Sequence, residues 1–166
     1  MNVNIALLTV TDTRTFENDK SGSILVNKIE ESKHTLIDRK ICKDNKEEII
    51  KILKECSNQK NIDVIITTGG TGLTGRDITP EAIDEIADKH IPGFGEIFRY
   101  YSLETVGTSS IQSRAGAVLA NGKYIFALPG SSGGVTDAWD KILIHQLDIN
   151  HKPCNFVELF SRLKEK

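Results

Sequence analysis

Short unbroken apolar runs alternate with segments of helical period along this chain. That alternation restricts the fold to βα units around a mostly parallel sheet. Asn4 to Val10 (NIALLTV) is expected as a central strand, and after the polar loop TDTRTFENDKSG a helix follows with Leu25, Val26 and Ile29 on one face. A second strand, Thr35 to Ile41, leads into a helix whose Ile49, Ile52, Leu53 and Cys56 recur at i, i+3, i+4 and i+7. The third strand, Asp63 to Thr67, delivers the stretch TTGGTGLTGRDITPEA. Beyond it Thr79 is placed to cap a helix with Pro80 at its first position and Ala82, Ile83, Ile86 and Ala87 facing inward.

The second half is less regular. A short helix is expected from Gly95 to Leu103, and strands Ala115 to Ala120 and Lys123 to Leu128 flank Asn121-Gly122, a hairpin turn whose two residues favour positive φ. One antiparallel strand therefore joins the sheet. The hairpin ends in PGSSGG, Pro129 to Gly134, before a helix that presents Trp139, Ile142, Leu143 and Gln146 or Leu147 to the core. A last helix is expected over Val157 to Lys164.

At 166 residues the chain fits a single domain, 1–166. Its 21 basic and 23 acidic side chains nearly cancel to a formal charge of -2, so no overall field points to nucleic acid or an anionic membrane. Three cysteines without a C-x-x-C pair, and a start lacking the features of a signal peptide, imply reduced thiols in the cytoplasm. No apolar run approaches the roughly 18 residues that suggest a membrane span. The four histidines lack the spacing of a zinc site.

Three loops leave the carboxyl ends of strands, where ligands bind in open α/β sheets: TDTRTFENDKSG, GGTGLTGRD and PGSSGG. Gly69, Gly70 and Gly72 either serve a tight turn or let backbone amides near a helix N-terminus cradle an anion such as phosphate. Neither glycine loop supplies the lysine of G-x-x-x-x-G-K-S/T, and TDTRTFE stands where a dinucleotide fingerprint would follow the first strand. No G-x-S-x-G elbow is present. Asp77 lies beside the glycine loop, and a carboxylate facing bound phosphate needs a cation between them, which makes it a candidate Mg²⁺ ligand. Its alternatives are a salt bridge to Arg76 or a turn-forming role. Asp44, after the second strand, has the spacing of a helix cap in Asp44-Asn45-Lys46-Glu47.

Four segments in order, TTGGTGLTGRDITPEA, PGFGEIFR, GTSSIQSRA and LPGS, carry a resemblance to the MoaB and MogA proteins of molybdenum cofactor biosynthesis. It runs from LTVTDTR to KPCNF, and KPCNF with FGEIFRYYS is closer to MoaB. The resemblance implies a three-layer α/β/α sandwich with a mostly parallel sheet and one antiparallel strand, homo-oligomers (trimer or hexamer), and molybdopterin binding. It also implies transfer of AMP from Mg-ATP to the terminal phosphate of molybdopterin, and other cofactor-biosynthesis proteins as partners. Asp44 and Asp77 match the family's acidic positions, as catalytic residues and Mg²⁺ ligands. Gly69, Gly70, Thr71 and Gly72 match the pterin and phosphate cradle. Asp12, Ser113, Pro129, Gly130 and Ser131 match other walls of the site. SRAGAV stands where many relatives have SRAVAG, and PGSSGG replaces PGxP or PGST. Pterin binding or assembly without turnover is one alternative; a hydrolase like the competence-damage-inducible proteins is another.

Overall fold

The computed structural model describes residues 1–165. Strands form at Asn4–Val10 (β1), Thr35–Cys42 (β2), Val64–Thr68 (β3), Lys89–His90 (β4), Gly116–Ala120 (β5) and Lys123–Leu128 (β6). Helices form at Lys20–Glu31 (α1), Lys46–Asn58 (α2), Thr79–Glu85 (α3), Pro92–Val106 (α4), Ser132–Ala138 (α5) and Ile144–Gln146 (α6). The six strands lie in the order β2-β1-β3-β6-β5-β4. β2, β1, β3 and β6 pair in parallel, while β5 runs antiparallel to both β6 and β4.

Consecutive apolar residues in β1 and β3 are explained by helices on both faces. Ile5 and Leu7 of β1, with Val64 and Ile66 of β3, meet Leu25 and Ile29 of α1, Phe94 and Phe98 of α4, and Trp139. Ala6, Leu8 and Ile65 face the other way, against Ile49, Leu53 and Cys56 of α2 and Ala82 and Ile83 of α3. Successive strand residues point to opposite faces, so each apolar run feeds two cores, and three layers follow. The edge strand β2 carries Asp38, Arg39 and Lys40 and is only partly buried, which blunts pairing with another chain.

The hairpin turn forms as expected, with Asn121 at φ 50 and Gly122 at φ 69. Elsewhere the elements differ from the expectation. The helix expected at Gly95 to Leu103 spans Pro92–Val106 and passes into a 3₁₀ segment, Gly107–Gln112. Pro92 starts it because its missing N–H and fixed φ suit a first turn. The final helix is 3₁₀, Val157–Arg162, and α5 joins α6 through a π-helical turn, Trp139–Leu143. The two-residue β4 is too short to leave a periodic signal.

Two capping expectations are corrected. Asp44 does not cap α2; Asn45 does, its side chain accepting from the Glu48 amide at 2.9 Å. Nor does Thr79 cap α3: it is already the first helical residue, ahead of Pro80, and its hydroxyl donates to the Gly69 carbonyl at 2.9 Å. The Thr79 side chain is thereby committed to the loop that follows β3, and Asp44 is left free to stand beside it.

Candidate functional site

The chain crosses from β1 to β2 on one side and then back past β1 to β3 on the other, and the loops after β1, β3 and β6 meet beyond the carboxyl ends of these parallel strands. The loop after β3 is set by two glycines. Gly69, at φ 102, crosses the end of β1 so closely that a β-carbon would lie 2.2 Å from the Val10 carbonyl oxygen. Gly70 has φ 67, and its β-carbon would meet Thr79 Oγ1 at 2.4 Å and Asp44 Oδ1 at 3.0 Å. No other residue fits either position without moving backbone or site.

Arg114, just before β5, then fastens the loop from outside. Its Nε donates to the Gly72 carbonyl at 2.8 Å, its Nη2 to the Asp77 carbonyl at 2.9 Å, and its Nη1 pairs with Glu81. Its own amide donates to the Thr71 carbonyl at 3.0 Å. Thr71 is buried as a result. On the β6 side, Thr68 Oγ1 donates to the Pro129 carbonyl at 2.8 Å, and Gly130 packs on Gly69. Ser131 caps α5 by accepting from the Gly134 amide at 3.1 Å.

These loops wall a cleft of about 800 Å³. Gly70, Thr71, Gly72, Asp77, Ser113, Pro129, Gly130 and Ser131 line it, joined by Arg14, Phe98, Thr105 and Asp137. Gly69 forms the base of the loop. Asp12 and Asp44 lie outside the lining, next to the loop rather than on the cleft wall.

The three aspartates have different surroundings. Burial pushes the Asp77 carboxyl up, but the hydroxyl and amide of Thr74, the Gly72 amide and the Arg114 charge outweigh it and hold it below the usual value. The Thr74 bonds to Asp77 Oδ2 are 2.6 and 2.9 Å. Asp44 is pushed up, first by burial and then by the negative charges of Asp12 and Asp77. Asp12 accepts from the Asp44 amide at 3.2 Å and pairs with Arg76 at 3.2 Å. Arg76 therefore pairs with Asp12 rather than with Asp77. Mutual repulsion among carboxylates marks a place that a cation would relieve. Among the described residues no group of three or more His, Cys, Asp or Glu could close around a metal ion. The set fits Mg²⁺ only in a form that brings phosphate and water ligands of its own.

Two arginines escaped the sequence reading. Arg114 sits in the QSRA segment beside Ser113, and its position just before a strand gave no reason to expect it to reach back to Gly72. Arg14 could have been suspected from TDTRT, where a cation stands between two threonines directly after a strand.

Residues 6–149 match the family model described as "Probable molybdopterin binding domain", and the chain belongs to that family. It is 43% identical over 152 residues to molybdenum cofactor biosynthesis protein B of Escherichia coli, covering 92% of this chain and 89% of the relative. The corresponding protein of Bacillus cereus is 42% identical over 146 residues, covering 87% and 86%. A crystal structure of a molybdenum cofactor biosynthesis protein B superposes with a TM-score of 0.90 at 37% identity, over 100% of this chain and 98% of that one. The tungsten cofactor synthesizing protein MoaB of Pyrococcus furiosus gives 0.77 at 34% identity, over 86% and 91%. The chain is thus a MoaB-like member of a molybdenum cofactor biosynthesis family. Among the described residues no helix is long and apolar enough to cross a membrane.

Proposed function

We propose that the chain binds molybdopterin in the cleft and transfers AMP from Mg-ATP to its terminal phosphate. The observation that carries this reading is the position of two carboxylates against one glycine loop: Asp44 abuts Gly70, and Asp77 abuts Gly72. Amides of Gly70 and Thr71 and the walls from Ser113 and Pro129 to Ser131 hold the pterin and its phosphate, while the Gly72 amide is taken by Asp77. Asp44 and Asp77 would hold the magnesium of Mg-ATP, which would offset negative charge between carboxylates and phosphates.

A terminal phosphate oxygen of the pterin attacks the α-phosphorus of ATP. The new P–O bond forms as the bond to the bridging oxygen breaks, and the electron pair leaves on pyrophosphate. The attacking phosphate is largely ionised at neutral pH, so the chain's task is positioning and charge balance rather than proton removal. Mixing the protein with molybdopterin and Mg-ATP and detecting adenylylated pterin by mass spectrometry tests the reading. Absence of that product contradicts it.

Pterin binding without turnover is the second reading, favoured by one feature: Arg76 already neutralises Asp12 at 3.2 Å without a metal. We also assign the exposed stripe Ile97, Tyr100, Leu103 and Val106 of α4 to contact between subunits in a trimer or hexamer. The three cysteines are free thiols, in keeping with work in the cytoplasm alongside other proteins of the pathway.

A further inference from the structure

We propose that Arg14 is the anion-binding side chain of the cleft, taking a phosphate oxygen of the ligand, and that buried Asp19 is the positioning residue that holds it there. The assignment rests on the phosphate-binding part of the function proposed above. Arg14 is the one cationic side chain among the described residues that line the cleft, where Asp77 and Asp137 supply negative charge. A phosphorylated ligand entering this space otherwise meets backbone amides and hydroxyls. The guanidinium fork suits phosphate better than an ammonium does, because two N–H groups can meet two oxygens.

Arg14 is tethered through a single nitrogen. Nη1 donates to the Gly130 carbonyl at 3.0 Å and to Ser21 Oγ at 3.0 Å. Its other N–H groups have no protein acceptor among the described residues, and 38% of the side chain is exposed. The tether spans two loops, since Arg14 follows β1 and Gly130 follows β6. It therefore points a preset cation into the space where those loops converge.

The tether is anchored on Asp19, whose side chain is 0% exposed. Ser21 Oγ donates to Asp19 Oδ1 at 3.2 Å, and Arg14 Nη1 lies 3.9 Å from the same oxygen. The Gly22 amide donates to Oδ1 at 3.0 Å, while Oδ2 accepts from Thr9 Oγ1 at 2.7 Å and Arg39 Nη2 at 3.1 Å. Burial favours the neutral acid, but these bonds and the Arg39 charge outweigh it, and Asp19 stays below its usual value. A carboxylate ionised at neutral pH thus ties the end of β1, the start of α1 and β2 to the arginine of the cleft. Its role exceeds capping α1, for which the Gly22 amide alone would serve.

Calorimetric titration with inorganic pyrophosphate, without magnesium, reads the anion site directly. Arg14→Gln should weaken pyrophosphate roughly 10- to 100-fold, the loss expected of hydrogen bonds to a charged partner. Asp19→Asn should weaken it less, and Arg14→Gln with Asp19→Asn should be no weaker than Arg14→Gln alone, because Asp19 acts only through Arg14. Should Asp19→Asn fail to fold, Ser21→Ala interrupts the same tether and carries the same expectation. Unaltered affinity in Arg14→Gln, no pyrophosphate binding by the wild type, or additive losses in the pair would overturn the proposal. Competition then identifies the source: displacement by molybdopterin places Arg14 on the pterin phosphate, and displacement by ATP places it on the nucleotide. If neither displaces pyrophosphate, Arg14 does not serve either substrate. Pyrophosphate binding that depends on Arg14 in a protein yielding no adenylylated pterin would sink the transfer reading alone.

Discussion

The Asp44 carboxylate stands against Gly70, with Oδ1 3.0 Å from where a β-carbon on that glycine would sit. Thr79 Oγ1 is nearer still, at 2.4 Å, and it already donates to the Gly69 carbonyl. Glycine, carboxylate and hydroxyl therefore share one contact, and the shape of the loop cannot be altered without disturbing an aspartate of the site.

Gly70→Ala tests that contact. A β-carbon at φ 67 costs about 1–2 kcal/mol in backbone strain, and the clash adds to it unless Thr79 gives way. The variant should keep its secondary structure and melt roughly 4 °C lower, yet bind molybdopterin at least tenfold more weakly. Equal pterin affinity in wild type and variant would remove the cradle role from this loop.

Asp44 and Asn45 are adjacent and should behave in opposite ways. Asn45→Ala removes the α2 cap and should cost about 1 kcal/mol, with AMP transfer intact. Asp44→Asn should abolish transfer without destabilising the fold. The sign follows from linkage: the folded-state value of Asp44 is raised, so its ionised form costs stability above that value. The cost disappears as pH falls below the ordinary 3.8. Asp44→Asn should therefore melt above wild type at neutral pH and level with it in acid. Melting curves across pH check this, and a lower melting point at neutral pH would mean that Asp44 is structural.

The α4 stripe should be covered in solution. Tyr100 is 67% exposed and Val106 54% exposed in the isolated chain, while Phe98 of the same helix is buried. Interfaces concentrate aromatic and aliphatic side chains at their centres. Light scattering at micromolar concentration should give the mass of a trimer or hexamer, and Tyr100→Glu should lower it. A monomeric mass for the wild type rules the assignment out.

Period and turn chemistry made much of the fold legible. The runs NIALLTV and VII, the i, i+3, i+4, i+7 pattern of α2 and the Asn121-Gly122 turn are local signals, and each led to the right element. β4 was illegible because two residues have no period, and α4 was underestimated because Gly93 and Gly95 mask a helix that Pro92 begins. The site divided along the same line. Gly69 to Gly72, Asp77 and Pro129 to Ser131 lie in contiguous loops and meet at the cleft. Arg114 reaches Gly72 across 42 positions and Arg14 reaches Gly130 across 116, and no local pattern encodes such distances. The caps show the finer failure: Asn45 and Asp44 are both good cap residues, and only the backbone geometry chooses between them.

Release of pyrophosphate in a single turnover, with stoichiometric molybdopterin and saturating Mg-ATP, separates AMP transfer from pterin binding alone. Wild type should release one equivalent together with adenylylated pterin, while Asp77→Asn, which keeps an acceptor oxygen for Thr74 but loses the charge, should bind molybdopterin about as well and release none. Tight molybdopterin binding by the wild type without pyrophosphate release would rule out AMP transfer and leave a protein that holds the pterin without transforming it.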